Sequence, residues 1–150
     1  KQMVANVSQP YFSGDVSLIR AVGQGKCGVG LVNHYYLARM QAGASGQSDK
    51  TLASNIRLVM PNPAHVNISA AAVAKSAKNK KEAIQFIEFL SSPQGSRLIA
   101  DPTFEYPLKG FGTSKELTKF GRFTPDDVSI SALGATQKTA IQVMANAGWR

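Results

Sequence analysis

The stretch CGVGLVNHYYLARMQAG, residues 27–43, decides the fold. Its first half is a short apolar run with β-branched residues, Val29 and Val32, and predicts a buried strand over 29–32. Asn33 stands where a helix cap belongs, and residues 35–41 predict a helix that Gly43 stops. A buried strand running directly into a helix is the unit from which a parallel α/β sheet is built. Upstream, Val16, Ile19 and Arg20 or Ala21 follow a period near 3.6, so residues 15–22 predict a helix with Asp15 at its N-cap and Gly23 and Gly25 at its end. Downstream, residues 42–50 are small and polar and predict a loop. A second strand is expected at 56–60, ended by Pro61 and Pro63, and a third at 65–73.

The clearest pattern lies at 79–100. Ala83, Phe86, Ile87 and Leu90 sit at i, i+3, i+4 and i+7, one face of a helix. Ser92-Pro93 breaks it and starts a further helical segment, with Pro93 near the first position and Asp101-Pro102 at the close. Residues 105–108 predict a short strand and 115–120 a small helix. The last helix is expected at 131–147, with Leu133, Ala140, Val143, Met144 and Ala147 on one face and Trp149 anchoring its end. Strands alternating with helices predict an α/β chain with a substantially parallel sheet. The sequence carries no internal repeat, low-complexity tract or charged linker.

The chain has 150 residues, 43% hydrophobic and 17% charged, the composition of an ordinary globular protein. No run approaches the roughly 18 apolar residues needed to cross a bilayer. Residues 1–4 show no charged-then-apolar leader and read like the middle of a fold, so the chain is expected to begin inside a larger one. The net charge is +8 and the sequence pI about 9.8. Three readings fit: a solvated basic surface, a surface for nucleic acid or anionic membrane, or a protein that holds phenolates and an anion. The clusters Lys75, Lys78, Lys80, Lys81 and Lys109, Lys115, Lys119, Arg122 lack the interleaved aromatics of a single-strand binder. The lone Cys27, in an apolar run, is expected to be a buried structural thiol.

Most catalytic and cofactor motifs are absent. There is no CxxC, HExxH, P-loop lysine pattern or GxSxG. Gly23, Gly25, Gly28 and Gly30 flank a strand rather than follow one, which fits no dinucleotide fingerprint. Tyr35 and Tyr36 stand apart from these. They follow a strand at the first turn of a helix, where α/β sheets bind ligands. By spacing alone two readings stay open: one tyrosine packs in the core while the other caps a surface, or two phenol oxygens converge on one ion. If they converge, a free phenol with a pKa of about 10 yields its proton near neutrality only to a strong Lewis acid, and ferric iron is hard as phenolate is. Arg39 follows three and four residues on and shares a side with both, either solvated or balancing phenolate charge. His34 and His65 read as structural, and Tyr11 and Tyr106 as weaker candidates for a cleft.

The run DVSLIRAVGQGKCGVGLVNHYYLAR (15–39) resembles the ferric-binding members of the extracellular solute-binding family, most of all the cyanobacterial Fut-type ferric proteins. HVNISAAAVAKSAKNKKEAIQFIEFLSSPQGSRLIAD (65–101) resembles that family's crossing strand and following helices, EYPL (105–108) its next return strand, and the segment through MANAGW its C-terminal helix. The likeness covers essentially the whole chain. It implies a class II, transferrin-like periplasmic-binding-protein fold with two α/β lobes around a cleft, of which this chain would be the C-terminal half. Residues 1–61 would belong to the second lobe, 62–104 to the first lobe with the hinge crossing, and 105–150 to the second-lobe C-terminal helices. The early half of the first lobe, with further ligands, would lie in a longer chain or a complementary fragment.

The same resemblance implies Fe³⁺ as transported cargo, held by Tyr35 and Tyr36, with Arg39 behind them and a small synergistic anion completing the site. It implies a periplasmic, monomeric, non-enzymatic protein that meets the membrane only through the permease of an ABC iron importer and binds no nucleic acid. His34 stands where relatives often carry a small or polar residue, and Gly28 where many carry an acidic one. Competing expectations are the same fold with thiamine, a polyamine or a phosphonate as cargo, and the effector domain of a transcription regulator. The latter would normally come with a helix-turn-helix, which is absent from this sequence.

Overall fold

The computed structural model describes residues 2–7, 11–108 and 114–149. Lys109, which figures in the sequence reading, lies outside the described residues. Eight helices follow one another among those described: α1 (Gln2–Ala5), α2 (Asp15–Gly23), α3 (His34–Ala42), α4 (Gln47–Ala53), α5 (Lys80–Leu90), α6 (Pro93–Thr103), α7 (Lys115–Phe120) and α8 (Ile130–Ala147). The packed centre is made by α2, α3, α4 and α7, while α5 packs chiefly on α6.

The core is small. Ile19 of α2, Leu37 and Met40 of α3 and Ala53 of α4 form its buried cluster, with Val16, Val32, Tyr36, Ile56, Leu58 and Phe120 packed around it. The alternation at 56–60 does its expected work on one side only. Ile56 and Leu58 lie against the helices, whereas Val59, next after them, is 83% exposed.

The expected strands are corrected at this point. Residues 29–32, 56–60, 65–73 and 105–108 form no ladder among the described residues. The one pairing outside helices is an isolated parallel bridge between Ala64 and Pro125. There the Thr124 carbonyl accepts from the Ala64 amide and the Ala64 carbonyl from the Asp126 amide, both at 2.8 Å. β-structure is a pairing, not a property of one segment, so apolar and β-branched residues give a strand only where a neighbour supplies the opposing amides. Val29 is accordingly 89% exposed and Leu31 78%, not buried.

The helices are closer to expectation. Gly43, at φ 88°, ends α3 in the left-handed conformation that a side chain resists. Ser92 caps α6 by accepting from the Gly95 amide, and Pro93 occupies the first turn. Pro102 does not stop that helix, which runs on to Thr103 and ends at Phe104, φ 59°. Near the C-terminus a proline removes only one amide bond, so the helix survives it. The expected loop at 42–50 contains the start of α4. Its Asp49 is buried and makes a two-pronged bond to Arg20 of α2, with both contacts 2.8 Å. The Arg20 guanidinium holds the Asp49 carboxyl below its ordinary range. The apolar faces of α5 and α8 exist as read, but neither helix has a fully buried residue, and Phe86 is 60% exposed. Cys27 is half-buried rather than buried.

Candidate metal centre at the start of α3

The apolar segment 29–32 brings the chain across α2 to the start of α3. Gly30 permits the crossing, because a Cβ there would come within 3.0 Å of Leu18 Cγ. This close approach accounts for a glycine that no nucleotide motif explains. Asn33 then caps α3 by position, but its side chain is used elsewhere. Asp15, expected as the cap of α2, is instead its first helical residue, and Gly14 precedes it. The Asp15 carboxylate accepts from the Asn33 amide at 3.0 Å and from Asn33 Nδ2 at 2.9 Å. Asn33 Oδ1 in turn accepts from Asn67 at 2.9 Å.

Tyr35 and Tyr36 stand on the first turn that this network fixes. Their ring centroids are 4.5 Å apart with planes tilted by 38°. The Tyr35 phenol is pushed up to about 12, chiefly by the adjacent Tyr36 hydroxyl. Burial and the negative charges of Tyr36, Asp15 and Glu105 add to the effect. The two rings therefore lie side by side, and Tyr36 also leans on the core as the packing reading requires. Two phenols with two carboxylates in electrostatic range make a locally negative spot on a basic chain, suited to a cation.

Arg39 lies one turn further along α3 and is exposed. His34 accompanies the pair: its Nε2 is 3.0 Å from the Phe104 carbonyl oxygen, and burial pushes its pKa down. The other candidates are elsewhere. Tyr11 stacks on Trp149 with centroids 5.5 Å apart, so Trp149 does anchor the end of α8. His65 bonds Asp126 at 2.9 Å beside the 64–125 bridge. Tyr106 lies against His34 and Phe123, and its buried hydroxyl has no hydrogen-bond partner among the described residues.

The sequence reading missed Asp15 and Glu105 as neighbours of the pair. The distances in sequence, 20 and 70 residues from Tyr35, left no periodic signal to find them. The surface depressions at Met60–Asn62 with Arg122–Thr124, and at Val22–Cys27 with Asn55–Arg57, do not include the tyrosines. Among the described residues no group of three His, Cys, Asp or Glu could hold a metal ion.

No family model matches the chain. Individual proteins do. "Iron uptake protein A1" of Synechocystis is 34% identical over 155 aligned positions, covering 100% of this chain and 43% of that protein. The "Major ferric iron-binding protein" of Neisseria meningitidis serogroup B is 37% identical over 100 positions, covering 67% of this chain and 30% of its own length. Among solved structures, "Bordetella ferric binding protein" superposes with a TM-score of 0.86 at 30% identity, over 97% of this chain and 48% of that one. The chain is homologous to ferric-binding proteins. It spans about half the length of the relatives it matches. The superposition also carries the fold: this homologue has the chain path of a periplasmic-binding-type α/β protein, even where its extended segments lack ladder partners.

Proposed function

We propose that this chain binds ferric iron through the phenolates of Tyr35 and Tyr36 and hands it to the permease of an ABC importer in the periplasm. The observation that carries the reading is the juxtaposition of two adjacent phenol rings, 4.5 Å apart at the start of α3, with Asp15 and Glu105 in electrostatic range. The names of the homologues, iron uptake and ferric iron-binding proteins, agree with it. Phenolate is a hard oxygen donor, and a small trivalent cation is the partner that displaces two such protons near neutral pH. Arg39 balances phenolate charge from one turn away, and a small anion completes the coordination. Residues 1–61 and 105–150 serve one lobe and 62–104 the other, with the protein acting as a monomer.

The test is spectroscopic. Ferric phenolate absorbs visible light by charge transfer, so the chain titrated with ferric citrate should turn coloured. Tyr35→Phe combined with Tyr36→Phe keeps both rings and removes both oxygens. The band and tight binding should vanish while the far-ultraviolet circular dichroism stays the same. A double variant that keeps the colour would overturn the assignment. Arg39→Ala should weaken ferric binding about tenfold without abolishing it, since the donors remain. An unchanged affinity would return Arg39 to the solvated surface.

A further inference from the structure

We propose that His34 is a positioning residue for the tyrosine pair: its Nε2–H bond to the Phe104 carbonyl fixes the rotation of the first turn of α3, and so the direction of the phenols. The inference rests on the ferric reading of Tyr35 and Tyr36.

His34 opens α3, and Tyr35 follows it directly. A carbonyl oxygen only accepts, so at 3.0 Å the proton lies on Nε2 and the imidazole donates to Phe104. The same ring meets Tyr35 edge-on at 5.7 Å and lies across Tyr106 at 4.9 Å. Tyr106 continues to Phe123 at 5.1 Å. One imidazole thus meets Tyr35 on one side and the 104–106 segment on the other. The segment it holds is itself braced, because Ser69 Oγ donates to the Glu105 carboxylate at 2.8 Å.

Such a brace is needed for a geometric reason. Successive helical side chains project about 100° apart, so neighbouring phenols converge only if the first turn is held at one rotation. The helix's own ladder holds it only loosely, since the first amides have no i−4 partner and the Tyr36 amide reaches the Asn33 carbonyl at 3.3 Å. Two side-chain ties supply the constraint: Asp15 grips Asn33, and His34 grips Phe104. Losing a group that orients a metal ligand typically costs about 10–100-fold in affinity.

Two variants of the full chain separate the bond from the ring. His34→Phe keeps an aromatic ring for Tyr35 and Tyr106 and loses the donor. His34→Gln loses the ring and places an amide N–H at similar reach. Each is titrated with ferric citrate, read by the visible band and by competition with free citrate, with circular dichroism alongside. His34→Phe should shift the band and lower ferric affinity about tenfold, and His34→Gln should recover to within about threefold of the wild type. A His34→Phe protein with wild-type band and affinity overturns the inference. So do equal losses in both variants, which would mean that a restored donor does not recover the site. Losses that appear only with a fall in helical signal would make His34 a packing residue and also overturn it. A wild type without a band removes the tyrosine reading itself and takes this inference with it. A wild-type band that disappears in the double phenylalanine variant but ignores His34 sinks the inference alone.

Discussion

At the scale of single residues, the Tyr35 phenol carries the most information. The neighbouring Tyr36 phenol, with burial behind it, favours the protonated form and pushes it up to about 12. Tyr36→Phe removes that neighbour's hydroxyl, so an ultraviolet phenolate titration should find Tyr35 moving down toward the ordinary value of about 10. A Tyr35 that stays put would mean burial and the carboxylates, not Tyr36, set the shift. The sign for iron follows. A phenol is neutral below its pKa, so at neutral pH both protons must leave before two phenolates can bind. Ferric affinity should rise with pH by up to about tenfold per unit for each phenol engaged, and fall in acid. Proton release measured on adding ferric citrate in weak buffer should approach two per ion. Release near zero would argue against phenolate ligation. The sequence made Tyr35 and Tyr36 legible, because their place after an apolar run limits where they go. It left Glu105 and Tyr106 illegible as neighbours, because nothing local records a contact across 70 residues.

At the scale of elements, helices were legible and strands were not, for one physical reason. A helix satisfies its amides within its own sequence, so caps such as Ser92 and stops such as Gly43 can be read directly. A strand is completed by a neighbour, so residues 29–32 and 65–73 carry strand composition but form no ladder among the described residues. The missed α4 shows the limit on the helical side. Its residues are small and polar, and the interaction that fixes it, Asp49 with Arg20, joins two helices 29 residues apart. The tie between α2 and α3 gives a prediction of the same kind. Asp15→Ala deletes an acceptor of two bonds from Asn33. Hydrogen bonds to a charged group contribute about 1.5–3 kcal/mol, and these are partly screened, so the loss should approach about 2 kcal/mol in chemical denaturation. Ferric affinity should fall as well, because the turn that carries the phenols loosens. A variant with unchanged stability would show that Asn33 is held by something else.

At the scale of the whole molecule, surface area is the deciding quantity. A compact monomer of this mass exposes about 7,400 Å². This chain, at 16.0 kDa, exposes 11158 Å². The excess is partly apolar and has addresses: Val29, Leu31 and Val59 on unpaired extended segments, Phe86 on α5, and Ile141 and Val143 on α8. Each buried apolar Å² contributes about 25 cal/mol, so a chain that leaves this much uncovered forgoes much of the hydrophobic driving force for a cooperative fold. Unpaired extended segments also offer their amides to other chains. The helices of the centre, α2, α3, α4 and α7, still have a shared core to melt as a unit. The purified 150-residue chain should therefore show strong helical signal, a broad thermal transition and a denaturant slope below that of a compact protein of its length. It should also bind a hydrophobic fluorescent dye under native conditions. Circular dichroism melts, urea titration and dye fluorescence on one preparation decide the matter. A sharp transition with a full-sized slope and no dye binding would mean the apolar faces of α5, α8 and the extended segments are covered in solution, and the exposed surface described here would be wrong for the chain on its own.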